Sequence, residues 1–255
     1  MAGVELSPEE YLMAWEHLRL GLVHWNLRPP WGGERTVGER VVARRRAWDV
    51  LRARGLADDR QLDPDLEDVL RLIARPAAEL NGRLDGPGGQ RTVVGCARGE
   101  RAVLAVLGES GLGVWPVRAT ALPAAVAQVI PDRPVGSGTA VSVPAESLPE
   151  RRGLSGAEVV RALVHGGARP DDARQFRAML RGPKLGGGKF GAARYDRQGC
   201  RHVAEFVVTY YDTERGGYTI EQKRGVDRSR WFTLAPAARP QLAQRLACLL
   251  DSIRT

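Results

Sequence analysis

The stretch Glu79 to Ala119, ELNGRLDGPGGQRTVVGCARGERAVLAVLGESGLGVWPVRA, decides the fold. Gly-rich punctuation divides it into four runs: ELNGRL, QRTVVGCARG, RAVLAVL and GVWPVRA. Short runs rich in β-branched residues and bounded by glycine read as strands joined by turns. Hairpin connections enforce antiparallel pairing, so the stretch is a four-stranded meander. A second meander follows later in the chain: GGGKFGAARYDRQG, HVAEFVVTYYD, GGYTIEQKR and SRWFTLA.

Both meanders have the same neighbours. Helices precede each one. Ser7-Pro8-Glu9-Glu10 is a helix start, with Ser7 as cap, Pro8 in the first turn and Glu10 completing a capping box. That helix runs to about Leu20 with Tyr11, Trp15 and Leu18 on one face. After the loop RPPWGGERT, Thr36 and Glu39 form a second capping box, and Gly55 ends the helix. Asp63-Pro64 opens a third helix, where Leu66, Val69, Leu70 and Ile73 fall at the spacing of an amphipathic stripe. Before the second meander come a short strand, TAVSVP, and two helices, GAEVVRALVHG and PDDARQFRAML. Each meander is followed by a helix with proline in its first turn: TALPAAVAQVI and APAARPQLAQRLACLLDSI.

The chain therefore divides into an N-terminal half, residues 1–133, and a C-terminal half, residues 134–255, fused in one domain. The expected class is α+β. Its central antiparallel sheet is built from two quasi-two-fold related four-stranded meanders, flanked by two helical bundles. Each sheet face needs a cover or must face water.

Composition narrows the function. No apolar run reaches the length of a membrane span. The first residues carry acids where a signal peptide carries Lys or Arg, and the three cysteines are few and far apart. Both features point to the reducing cytosol. The formal charge is +8, and only three of the 38 basic residues are lysines. Such an Arg bias also follows from a GC-rich genome. The arginines are spread along the chain, with one short cluster at Arg44, Arg45 and Arg46. A nucleic-acid-binding protein, carried by that cluster and the arginines of the second meander, is the alternative function.

Catalytic patterns are incomplete. Gly182 to Phe190 resembles a phosphate loop but has Pro183 in place of its first glycine and Phe190 in place of the hydroxyl residue. Gly153-Leu154-Ser155-Gly156-Ala157 breaks the nucleophile-elbow pattern at its last position, and Ser155 reads as a helix cap. His17, His24, His165 and His202 are scattered, and Cys200 with His202 makes only two ligands. No metal, no cofactor and no enzymatic activity are expected.

What stands out is apolar. Alternation puts Phe206, Val208 and Tyr210 on one face of a strand and Val207 and Tyr211 on the other. Tyr218, Trp231 and Phe232 lie on the next two strands, and Phe176 and Met179 are three apart on one helix. A single such residue is more often core. Aromatic side chains left partly open are also favoured partner anchors. Phe206, Val208, Tyr210, Tyr218, Trp231, Phe176 and Met179 are the candidate partner-binding residues.

The order and spacing of IARPAAEL (73–80), RGERAVLAV (98–106), YDTERGGY (211–218) and WFTLAPAARPQLAQRLACLL (231–250) resemble the EspG family from end to end. The resemblance implies the two-halved α+β fold above. It also implies a cytosolic chaperone of actinobacterial type VII secretion, binding PE–PPE heterodimers through the central sheet and the C-terminal helical bundle. The expected partner is a PE–PPE-like pair or another small helical secretion substrate.

Overall fold

The computed structural model describes residues 3–29, 36–148, 155–225 and 228–254. The N-terminal half opens with a short strand that periodicity does not announce, β1 (Val4–Leu6), then α1 (Pro8–His17), α2 (Val37–Ala53) and α3 (Pro64–Ala74). Its meander is β2 (Ala78–Asp85), β3 (Arg91–Arg98), β4 (Arg101–Gly108) and β5 (Gly111–Arg118), closed by α4 (Leu122–Ala127). The C-terminal half repeats the order. A short strand, β6 (Val141–Pro144), precedes α5 (Gly156–His165) and α6 (Pro170–Met179). The strands β7 (Lys184–Tyr195), β8 (Arg201–Val203), β9 (Val208–Thr213), β10 (Gly216–Arg224) and β11 (Arg230–Pro236) follow, then α7 (Arg239–Asp251).

All the strands form one sheet in the order β1-β5-β4-β3-β2-β7-β9-β10-β11-β6, with β8 paired to β7. The order is a palindrome about β2–β7. Each half contributes a meander and a short outer strand laid antiparallel on the last meander strand. The central ladder runs antiparallel from Ala78↔Arg194 to Asp85↔Gly187. Its register is fixed by reciprocal large-against-small pairs. Phe190 lies over Gly82, where a Cβ would meet the ring at 2.6 Å, and Leu84 lies over Gly188, where a Cβ would also meet it at 2.6 Å.

Paired residues share a sheet face, so the ladders assign the layers. On one face, α4 and α7 pack side by side across the middle. Leu122 and Val126 of α4 and Leu242 and Leu246 of α7 join Leu80, Val93, Phe190 and Tyr210 in one core. The opposite face carries two separate helical packs. The first is α1–α3, whose Tyr11, Trp15, Leu66 and Leu70 cover Val94, Cys96 and Val103. The second is α5–α6, whose Leu163, Phe176 and Met179 cover Val143, Tyr218 and Leu234.

The expected capping boxes form at Ser7–Glu10 and Thr36–Glu39, and the expected cap at Ser155 proves to be a third box, with Glu158. The resemblances to catalytic loops resolve structurally. Lys184 to Phe190 is the first part of strand β7, and Ser155 caps α5, while residues 153 and 154 lie outside the described residues. One expected element is corrected. The run from His202 is not a single strand. Between the pairs Ala193↔Val203 and Phe190↔Val208, three steps along β7 face five along its neighbour. The two extra residues bulge out, as such insertions do where pairing must be interrupted. Phe206 sits in the bulge and does not continue the alternation of Val208 and Tyr210.

Replacing Gly82 with valine displaces Phe190 from the central ladder. The expected cost is about 2 kcal/mol, typical of overpacking a filled core, read as a lower urea midpoint at unchanged slope. Gly191→Ala, whose Cβ meets only the Asn81 amide at 3.3 Å on the other face, costs less.

Candidate functional site

The gap between the two helical packs leaves a strip of sheet uncovered. Across it run Arg83 on β2, Lys189 on β7, Thr209 on β9 and Ile220 on β10, in direct cross-strand register. One step along, Tyr211 pairs with Tyr218, and beyond Ile220 the pair Gln222↔Phe232 continues the face. Arg83 and Lys189 are exposed, and Thr209, Tyr211, Ile220, Gln222 and Phe232 are half-buried. Tyr211, Ile220 and Phe232 pack against the edge of the α5–α6 core. The strip is thus an apolar ledge beside α5–α6, bordered by cations on its β2–β7 side. Lys184 stands 5.7 Å from the centre of the Tyr211 ring and forms an ion pair with Asp85 at 3.0 Å.

On the α7 face, a groove of about 920 Å³ lies between the bulge, the end of β10 and the last turns of α7. Phe206, Val207, Lys223, Cys248 and Ile253 are among its lining residues. Val203 and Val207 are 58% and 46% exposed, so this groove too presents apolar surface. The Glu205–Arg224 ion pair ties the bulge to β10.

The candidate residues divide between these faces. Tyr218, Phe176 and Met179 come together, but as the buried core of the α5–α6 pack beside the ledge. Val208 and Tyr210 are buried under α7, and burial pushes the Tyr210 hydroxyl up to about 12, with Asp212 adding to the shift. These five were expected to stay partly open. They are closed because α6 and α7 each lay a full apolar stripe on the sheet. Phe206 and Trp231 alone of the seven are half-exposed, and neither shares a face with Tyr218. Sequence reasoning missed Lys189, Thr209 and Ile220. The signal was the polar alternation Glu79, Asn81, Arg83 against Leu80, Gly82, Leu84 on β2, which marks a strand with one open face.

A buried polar cluster closes the α1–α3 end of the strip. Glu79 is fully buried on β2. It accepts from Asn81 at 2.7 Å and from the Tyr195 hydroxyl at 3.0 Å, contacts His24 Nε2 at 3.1 Å, and pairs with Arg201 at 3.4 Å. Trp25 stacks on His24, and Arg201 lies over the Trp25 ring. One carboxylate therefore joins the loop after α1, both halves of the sheet and β8. Burial pushes the Glu79 carboxyl up, but His24, Arg201 and Tyr195 together outweigh it and hold it below the usual glutamate range. Burial, followed by the Glu79 charge, pushes the Tyr195 hydroxyl up to about 12.

Among the described residues, no group of three or more His, Cys, Asp or Glu could hold a metal ion. No helix of the described residues is long and apolar enough to cross a membrane. Arginines of the second meander are engaged by acids: Arg194 with Asp251, Arg201 with Glu79, Arg224 with Glu205 and Arg230 with Glu146. Arg44 pairs with Glu16. Nothing in this arrangement favours a nucleic-acid track.

These features define a two-halved α+β scaffold whose continuous sheet leaves one central strip open between helical packs. The chain belongs to the EspG family, whose model it matches over residues 7–247. Among solved structures it is similar to the Mycobacterium tuberculosis type VII secretion system chaperone EspG5, determined in complex with a PE25–PPE41 dimer. The TM-score is 0.74 at 16% sequence identity, covering 99% of this chain and 97% of that one. A sequence search of curated proteins gives no match.

The Glu79 cluster makes a pH prediction. A carboxyl held below its unfolded value contributes stability above the unfolded pKa, and this is lost as pH falls through the folded value. Glu79→Gln is expected to cost about 2 kcal/mol at pH 7, and its deficit to shrink below about pH 4.5. Chemical unfolding of both proteins across that range measures it.

Proposed function

We propose that the protein is a non-catalytic cytosolic chaperone of type VII secretion that holds a PE–PPE-like helical pair by equilibrium binding. Membership of the EspG family carries this reading, and the likeness in fold to EspG5, captured with its PE25–PPE41 dimer, supports it. The open strip supplies a physical means. A helical bundle that ends in an apolar tip needs a receptor that is apolar, rigid and exposed without unfolding. Side chains on sheet strands, locked by cross-strand neighbours, meet those conditions at low entropic cost. No bond is made or broken, so neither cofactor nor nucleophile is required.

In this reading the partner meets the ledge of Tyr211, Ile220 and Phe232, with Thr209 and Lys189 beside it and α5–α6 as its wall. Tyr218, Phe176 and Met179 then support the ledge from the side, within that wall. The groove around Phe206 is the second location, favoured by the exposed Val203 and Val207.

The test is co-purification with a co-expressed PE–PPE pair from the same genome, with melting temperature recorded for every variant. Thr209→Arg and Ile220→Asp probe the ledge; Phe206→Asp and Val207→Asp probe the groove. Central contacts of this kind cost about 2 kcal/mol or more, roughly thirtyfold in affinity. Loss with the ledge variants alone is expected. Loss with the groove variants alone moves the site to the α7 face. Folded variants on both faces that all bind normally, or a failure of the unaltered chain to bind any such pair, would overturn the proposal. Binding should also tolerate salt, unlike phosphate-driven affinity.

A further inference from the structure

The arginines, dispersed in the sequence, are gathered by the fold at one end of the N-terminal half. Arg98 on β3 is directly opposite Arg101 on β4, and Arg101 is directly opposite Arg118 on β5. All three point to the α3 side, since Cys96 and Val103, two residues along, lie in that core. Like charges directly opposite on a sheet repel. Here three stand in a row.

The neighbouring elements add to the charge. Arg71 lies in the last turn of α3, and Arg75 caps its end. Arg19 follows α1 at φ 52°, in the left-handed region. There its N–H bonds the Glu16 carbonyl at 3.0 Å, and the Leu20 N–H bonds the Trp15 carbonyl at 3.3 Å. That closing motif favours glycine at the left-handed position, because a Cβ is strained there. The equivalent residue after α2 is Gly55, at φ 69°. An arginine is held at a backbone conformation where glycine costs less.

Together with Leu18, Leu20 and Leu72, the side chains of Arg19, Arg71, Arg75, Arg98 and Arg101 line a concavity of about 290 Å³, and Arg118 stands beside it, opposite Arg101. Asp68 pairs with Arg101 at 2.7 Å, and Glu67 pairs with Arg71. Among the described residues, Arg19, Arg75, Arg98 and Arg118 have no ion-pair partner. Against the five arginines of the lining stands one acid, Asp68. A self-repelling row, a strained arginine and a leucine-lined hollow are costs to the isolated chain that an anionic occupant would offset.

We propose that this pocket is a docking site for an acidic segment of a partner protein, carrying an aliphatic side chain between carboxylates. Planar guanidinium groups match carboxylates in a two-pronged geometry. The leucines call for an aliphatic insert. Nucleic acid fits less well, because the lining has no aromatic side chain on which a base could stack. A bilayer surface fits less well because the cations surround a hollow and not a protrusion. The pocket lies beyond α3, away from the open ledge, so both sites can be filled together. The proposal does not rest on the identity of the secretion substrate.

The probe is a fluorescein-labelled peptide, Glu-Asp-Leu-Glu-Leu-Asp-Glu, followed by anisotropy against the full chain. We expect saturable binding that weakens with salt and on replacing the leucines with serine. Paired substitutions Arg75→Glu and Arg98→Glu should weaken it by roughly tenfold or more. Arg98→Gln separates binding from folding. Removing a repelling charge should leave the melting temperature unchanged or raised while the peptide binds less tightly; a purely structural arginine would lower it. Single-stranded DNA and phosphatidylserine vesicles are the comparison ligands. Absence of peptide binding, unchanged binding in the charge-reversed variant, or tighter binding of DNA or vesicles lost in that same variant would each overturn the proposal.

Discussion

The structure depends on the antiparallel ladder between β2 and β7. Each meander alone would present that strand as a bare edge with a row of unpaired backbone groups, a template for aggregation. Pairing the two edges removes both liabilities and turns two half-sheets into one. The register has to be unique, because a slip of one residue would turn each apolar set to the wrong face. The reciprocal pairs Gly82 with Phe190 and Leu84 with Gly188 provide that uniqueness. Each strand supplies one large side chain and one glycine that receives the other's, as two-fold symmetry demands. The pair α4 and α7 then crosses the seam from one side, while Glu79 ties it from the other.

This seam also determines which part of the sheet stays open. Helices long enough to cover β3–β5 and β10–β11 belong to different halves, and symmetry sets them apart. The sheet between them stays open on that face. It stays ordered because its other face is filled by α4 and α7. Rigidity and exposure therefore come from opposite sides of the same strands. The Glu79 cluster serves the same end: a fully buried carboxylate with four polar neighbours fixes the loop after α1 and β8 at one border of the strip. The border of the strip is thereby set.

Much of this was legible in sequence because the signals were local. Capping residues, prolines in first turns and glycines at helix ends act within one turn, so Ser7, Thr36 and Ser155 announce their helices directly. The two meanders were legible for the same reason. What required the fold was everything set by register. Phe206 was assigned to the face of Val208 and Tyr210 by counting in twos, and a two-residue bulge defeats such counting. Tyr218 and Trp231 lie on neighbouring strands, yet Tyr218 pairs with Pro236 and Trp231 with Lys223, which turns them to opposite faces. β1 was missed because three residues carry no periodicity, although its counterpart β6 was seen. The arginine row was invisible because Arg98, Arg101 and Arg118 become neighbours only through pairing.

The outer edges show how such a scaffold can expose apolar surface and stay dispersed. β1 has three residues and β6 has four, against eight or more in β2 to β5 and β7. Short edge strands offer few free backbone groups, which limits edge-to-edge pairing between copies. The ledge is guarded differently. Its aromatic and aliphatic side chains are half-buried, and Arg83 and Lys189 stand in the same cross-strand row as Ile220. Two copies meeting ledge to ledge would bring those cations toward each other. Like charge at the border thus disfavours ledge-to-ledge pairing of two copies, while the apolar centre stays open.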